Sequence, residues 1–132
     1  MPLNAEERAA LAAYRIEKAE KTFIEAKDNA TMGHWSLAAN RLYYAAYYIS
    51  SALLISRGLA AKTHEGVNVL INKHFVNKDM LEISESALLS RLQSIRRTGD
   101  YDDLLDWSEE DIKPYFPLTR KYIDKVKTLI GF

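Results

Sequence analysis

Between Trp35 and Arg57 the chain carries Leu37, Ala38, Leu42, Tyr43, Ala46, Ile49, Leu53 and Leu54, which map onto every face of a helix. A helix that is apolar all round must be surrounded by other helices, because no single face can be left to water. This one segment therefore argues for an all-α fold, a bundle in which it is the buried central element. Gly58 follows it, where a left-handed residue is wanted to end a helix.

The segments on either side supply the helices that would enclose it. Asn4 with Glu7 three residues on reads as an N-cap, and Ala12, Ile16, Ala19, Phe23, Ala26 and Ala30 form one apolar stripe behind it. This predicts a first helix from about Ala5 to Asn29, with Arg8, Arg15 and Lys18 elsewhere on its surface and a break at Thr31, Met32 and Gly33. Thr63 can cap a shorter third helix reaching about Phe75, with Val67, Leu70, Ile71 and Phe75 inward. Asp79 and Glu82 resemble a capping box for a fourth, whose Leu81, Leu88, Leu92 and Ile95 make the stripe and which Gly99 should end. Ser108 with Asp111 starts a fifth, carrying Tyr115, Tyr122, Val126 and Leu129. Pro114 and Pro117 disturb it, and an interior proline costs about 3 kcal/mol, so the pattern predicts either a short turn before Pro117 and a full helix after it or one kinked rod. No period-two strand pattern interrupts these. The expectation is an up-and-down antiparallel bundle of about five helices in a single domain spanning 1–132.

Composition narrows the function classes. The eighteen basic and eighteen acidic side chains cancel, so nucleic acid could be drawn only by a local patch and not by a global field. The absence of cysteine removes disulfides, thiolate metal sites and cysteine nucleophiles and suits a reducing compartment. Residues 1–10 are polar and charged, unlike a signal peptide, and Arg41 and Arg57 interrupt the most apolar stretch. A cytoplasmic protein that does not enter a membrane is the expectation.

Four features could carry chemistry. On the second helix Arg41, Tyr44 and Tyr48 share a face and Tyr43 and Tyr47 lie on an adjacent one. Phenols with buried rings and polar tips can hold a phosphate or stack on a base, and they can equally be core packing. The second feature is Arg96-Arg97-Thr98-Gly99-Asp100-Tyr101. Two arginines in a last helical turn complement the helix dipole, and a guanidinium beside a glycine break is also a phosphate site. The third is the acidic run Asp100, Asp102, Asp103, Asp106, Glu109, Glu110 and Asp111, which lacks the order of a calcium loop and reads as a solvated loop and helix start. The fourth is the three histidines. His64 and His74 are ten residues apart, roughly 1000° of helical rotation, so they do not share a face and no metal site is expected. His34 stands alone at the break before the second helix, and His64 at the start of the third could face the end of the fourth.

Taken together, Gly33, the run Leu37-Ala38-Ala39-Asn40-Arg41-Leu42-Tyr43-Tyr44-Ala45-Ala46-Tyr47, Gly58, Lys62-Thr63-His64-Glu65-Gly66-Val67 and Arg97-Thr98-Gly99-Asp100-Tyr101-Asp102 resemble the HEPN family, the higher eukaryotes and prokaryotes nucleotide-binding domain. The match in order and spacing runs from about Met32 to Asp103. The resemblance implies a helical bundle that pairs as a homodimer, often beside a minimal nucleotidyltransferase in a toxin–antitoxin-like pair. Many members are metal-independent ribonucleases whose signature is an arginine followed, four to six residues later, by a histidine at the end of the fourth helix. Here Arg96 or Arg97 matches the arginine, while Tyr101, Asp102, Asp103 and Leu104 stand where the histidine would fall. Cleavage through a 2′-hydroxyl needs a group that exchanges protons near neutral pH, for which histidine is suited and a tyrosine, with an ordinary pKa of about 10, is not.

Three functional readings follow. The first is a nucleotide- or RNA-binding module, homodimeric and docked on a nucleotidyltransferase, that holds phosphate with Arg97, Asp100 and Tyr101, together with Arg41, Tyr44, Arg96 and His64. The second is an endoribonuclease toxin with a degenerate active site, Arg97 stabilising the phosphate and Tyr101 or His64 moving the proton. The third is a structural interaction domain in which Arg97 and Asp100 only fix a helix end. None calls for a cofactor.

Overall fold

The computed structural model describes residues 2–102 and 104–132. Asp103, one of the acidic run and of the slots after the arginines, lies outside the described residues. Helix α1 spans Ala5–Thr31, α2 Trp35–Ser56, α3 His64–Ile71, α4 Ile83–Tyr101, α5 Glu109–Ile112 and α6 Tyr115–Ile130, and no strand occurs among the described residues. The architecture is an all-α bundle. Helix α2 touches α1, α3, α4, α5 and α6, as its composition requires.

Local chemistry sets most of the boundaries. Asn4 and Glu7 form a reciprocal capping box at the start of α1. Gly33 and Gly58 take positive φ at the two ends of α2. The third helix is shorter than its stripe suggests: α3 ends at Ile71 and continues as a π turn over Asn72–Val76, which still turns Phe75 into the core. The cap of α4 is Glu82 with Glu85, not Asp79, whose φ of 60 puts it in the preceding turn, a conformation aspartate tolerates. The proline segment breaks earlier than expected. Pro114 separates α5 from α6, while Pro117 sits in the first turn of α6, where its missing N–H forfeits no helical bond.

Helices α1 and α2 form the most extensive contact of the bundle. Both carry buried alanines at intervals of seven, Ala12, Ala19 and Ala26 on α1 and Ala38, Ala45 and Ala52 on α2. Small side chains on such a repeating seam let two backbones run close together. Arg120 of α6 ties back to α1 by clamping Glu20 with two guanidinium nitrogens, which holds the Glu20 carboxyl below its usual range.

On the other side of α2, Ser50 donates to the Ala46 carbonyl at 2.8 Å, so the Tyr122 hydroxyl, 2.6 Å from Ser50 Oγ, is the donor of that second bond. Burial pushes the Tyr122 phenol up to about 12, which keeps the proton in place. Tyr122→Phe is expected to lower stability by about 1 kcal/mol, read as a lower urea midpoint with an unchanged slope. An unchanged midpoint would mean that this bond contributes nothing.

The enclosure of α2 is incomplete. Leu37 is 56% exposed, and Asn40, Arg41, Tyr44, Tyr47 and Tyr48 are only half-buried. These residues recur at helical spacing and mark one face that no helix covers fully. Hydropathy misleads here because tyrosine counts as apolar while its hydroxyl can reach water.

Candidate functional site

On that open face the ends of α3 and α4 meet the tyrosines of α2. Arg96 lies deepest, its side chain only 17% exposed. It donates to the Tyr44 hydroxyl at 2.9 Å, and its guanidinium carbon lies 5.3 Å and 5.7 Å from the ring centres of Tyr44 and Tyr43. Its Nε is 3.0 Å from Asp100 Oδ2, close enough for an ion pair but not aligned for a hydrogen bond, and this buried N–H has no hydrogen-bond acceptor among the described residues. Asp100 in turn accepts from Asn40 Nδ2 at 3.0 Å, and Asn40 Oδ1 receives two N–H groups of Arg41. Arg41 lies 5.2 Å from the Tyr44 ring centre and 3.4 Å from Glu25. The Asp100 carboxylate is thus tied directly to Arg96, through Arg96 to Tyr44, and through the Asn40 amide to Arg41.

The start of α3 supplies the imidazole. Thr63 caps the helix by accepting from the Gly66 amide, which turns His64 inward over α2. His64 stacks on Tyr47 with ring centres 4.4 Å apart, and its Nδ1 is 2.6 Å from the Tyr43 hydroxyl. Burial, and then the neighbouring Tyr44 and Tyr47 phenols, push Tyr43 well above the ordinary tyrosine value, so this phenol stays protonated. Whichever of the two carries the shared hydrogen, Nδ1 is engaged and Nε2 is the ring atom left for a ligand. The next residue, Glu65, reaches Arg97 at 3.2 Å, and Arg97 is 58% exposed. The arginines therefore divide in role. Arg96 is built into the site, and Arg97 extends from its rim.

The expected site residues are only partly brought together. Arg41, Tyr44, Arg96, Asp100 and His64 form one connected cluster, with Arg97 attached through Glu65 beside His64. Tyr101 stands apart as the last residue of α4, 75% exposed, with no hydrogen bond or ring contact to the cluster among the described residues. The two arginines are not in the last turn of α4, because the helix runs through Gly99 to Tyr101, and the simple dipole explanation for them falls away. Gly99 is instead the floor under Trp107: a Cβ there would lie 2.9 Å from Trp107 Nε1. Trp107 donates that N–H to Ile95 O and its backbone N–H to Ser36 Oγ, which fastens the segment after α4 to both α4 and α2.

Several carboxylates of the acidic run have structural partners. Asp106 accepts from Ser36, Asp102 from the Leu104 amide, and Asp111 caps α5. Among the described residues no three His, Asp or Glu side chains gather as a metal site. No helix there is long and apolar enough to cross a membrane. Sequence patterning missed Asn40 as the bridge, Glu65 as the Arg97 partner and Trp107 as the brace. The first two flank Arg41 and His64 in the chain, which is the one local signal that could have drawn attention to them.

Comparison with known proteins places this geometry in context. A family model described as HEPN domain matches residues 12–129. A protein of Thermotoga maritima named UPF0332 protein is 34% identical over 93 residues, covering 70% of each chain. Two proteins of Methanocaldococcus jannaschii, each named "putative toxin", are 28% and 27% identical over 113 and 112 residues; each alignment covers 85% of this chain, with 76% and 83% of the relatives' own lengths.

Proposed function

Because the chain belongs to the HEPN family, we propose that it is a toxin-like module that binds RNA through the face where α2, α3 and α4 meet, acts in the cytoplasm as a homodimer and is partnered by a nucleotidyltransferase. The toxin reading rests on the names of the two archaeal relatives. The observation that carries RNA binding is the convergence of Arg96, Arg97 and Arg41 with Tyr44 and His64 on a face that no helix covers fully. The exposed guanidinium of Arg97 can take phosphate oxygens, Arg96 and Arg41 add positive charge beside it, and the adjoining rings offer surfaces on which bases stack. The exposure of Arg97 speaks against a purely structural reading, since a residue needed only to fix a helix end would be drawn inward.

The test is a titration of a labelled single-stranded RNA of mixed sequence at fixed salt. Arg97→Ala is expected to weaken binding about tenfold, the loss of one charged phosphate contact of about 1.4 kcal/mol, with the melting temperature unchanged. Equal affinity of variant and wild type, or no binding at all, would overturn the reading. A second reading, metal-independent RNA cleavage, is favoured by one observation: His64, its Nδ1 engaged by the Tyr43 hydroxyl, stands in the cluster that holds Arg96. Cleavage in the presence of a chelator that disappears in His64→Ala would put this reading first.

A further inference from the structure

The aromatic cluster does not stop at Tyr44. Tyr48 lies 6.0 Å from Tyr44 and 5.8 Å from Tyr47, ring centre to ring centre, and beyond it stand two cations of α1. Lys18 Nζ is 4.8 Å from the Tyr48 ring centre and 5.9 Å from that of Tyr14, and the Arg15 guanidinium is 5.7 Å from Tyr48. Arg15 and Lys18, off the apolar stripe of α1, thus face α2 at Tyr48. Neither has a carboxylate within salt-bridge distance among the described residues, whereas Arg41, Arg96, Arg97 and Arg120 all do. Their contacts to ring faces leave the charge available to an anion, which is how a positively charged aromatic surface is built. Tyr14 is 52% exposed and lines, with Glu17, Lys18 and Lys21, a shallow depression of about 240 Å³.

We propose that Tyr14, Arg15 and Lys18 of α1, together with Tyr48 of α2, form a second subsite continuous with the first, so that the ligand is a single-stranded RNA several nucleotides long rather than a mononucleotide. The inference rests on the RNA-binding reading. Successive bases stack on Tyr14, Tyr48 and the rim of the Tyr44–Tyr47 pair, and the backbone phosphates pass Lys18, Arg15 and then Arg97. Glu17, in the same depression, is the group that disfavours a phosphate there and directs the backbone to the Lys18 side. Unpaired bases are required, because the ring faces have no access to bases within a duplex.

The experiment compares a dinucleotide, a ten-nucleotide single strand and a ten-pair duplex on wild type, Tyr14→Ala, Lys18→Glu and a control, Lys121→Glu, which makes the same charge change on α6. All three positions are exposed, and a thermal melt verifies folding. Wild type is expected to bind the ten-nucleotide strand at least tenfold more tightly than the dinucleotide and more tightly than the duplex. Tyr14→Ala and Lys18→Glu are each expected to weaken the long strand about tenfold while leaving the dinucleotide unchanged, and Lys121→Glu to do much less. Equal binding of strand and duplex, equal effects of Lys18→Glu and Lys121→Glu, or long-strand affinity untouched by the α1 variants each overturns the second subsite. If Arg97→Ala still weakens the dinucleotide in those cases, the RNA-binding reading stands. Absence of RNA binding by wild type overturns both.

Discussion

Arg96→Ala is expected to weaken RNA binding by about fiftyfold or more, a larger loss than Arg97→Ala, and to lower stability by about 2 kcal/mol as well. The difference follows from burial. Arg97 is an exposed cation with one partner, so its removal deletes a contact and little else. Arg96 connects α4 to α2 through the Tyr44 hydroxyl, balances Asp100, and covers two ring faces. Without it Asp100 loses its guanidinium partner and is left with Asn40, and the Tyr44 hydroxyl loses its donor. Hydrogen bonds to charged groups contribute about 1.5–3 kcal/mol, and cation–ring contacts about 0.5–2 kcal/mol. Arg96→Lys should recover little, because a single ammonium cannot reach Tyr44 and Asp100 in the geometry of a planar fork. RNA titration together with urea unfolding reads both effects, and wild-type affinity in Arg96→Ala would remove Arg96 from the site.

Gly99→Val is expected to cost about 3 kcal/mol, and even Gly99→Ala should destabilise. Helix propensity alone predicts the opposite for alanine, a gain of about 1 kcal/mol over glycine. The contact decides. A Cβ at this position would meet Trp107 at 2.9 Å from Nε1 and 3.0 Å from Cδ1, and an indole ring held by its bond to Ile95 O, on a backbone held by Ser36, cannot swing aside cheaply. Overpacking of this kind costs about 1–3 kcal/mol, and the displaced ring also forfeits its bond to Ile95 O. In a Trp35→Phe background, unfolding followed by Trp107 fluorescence should show the lower midpoint together with a red-shifted native spectrum. Stability equal to or above the parent would mean that the ring yields freely.

Chemistry confined to neighbouring residues was legible before any fold. The N-cap at Asn4 and Glu7, the cap at Thr63, the left-handed Gly58 and the stripe of α1 are short-range patterns, and each appears where the sequence implies it. The errors occurred where two distant segments meet. Gly99 looked like a helix terminator because glycine usually is one, yet here it is small so that Trp107 can lie on it. Leu37 looked buried because leucine usually is, yet it stays 56% exposed.

The candidate site divides the same way. Arg41, Tyr44, Arg96, Asp100 and His64 could be named from residue type and spacing, since cations and phenols at helical intervals suggest anion chemistry wherever they end up. Their partners could not. That Asn40 bridges Asp100 to Arg41, that His64 stacks on Tyr47, and that Arg15 and Lys18 lie beside Tyr48 depends on how α1, α3 and α4 cross α2. The sequence by itself determined an all-α bundle around the segment from Trp35, because an all-round apolar helix has no other way to leave water. Only the tertiary structure decided which face of that helix stays open, because helix packing is set by side-chain shapes meeting across long stretches of chain, and Tyr101, one residue from Asp100, was left outside the cluster by the same geometry.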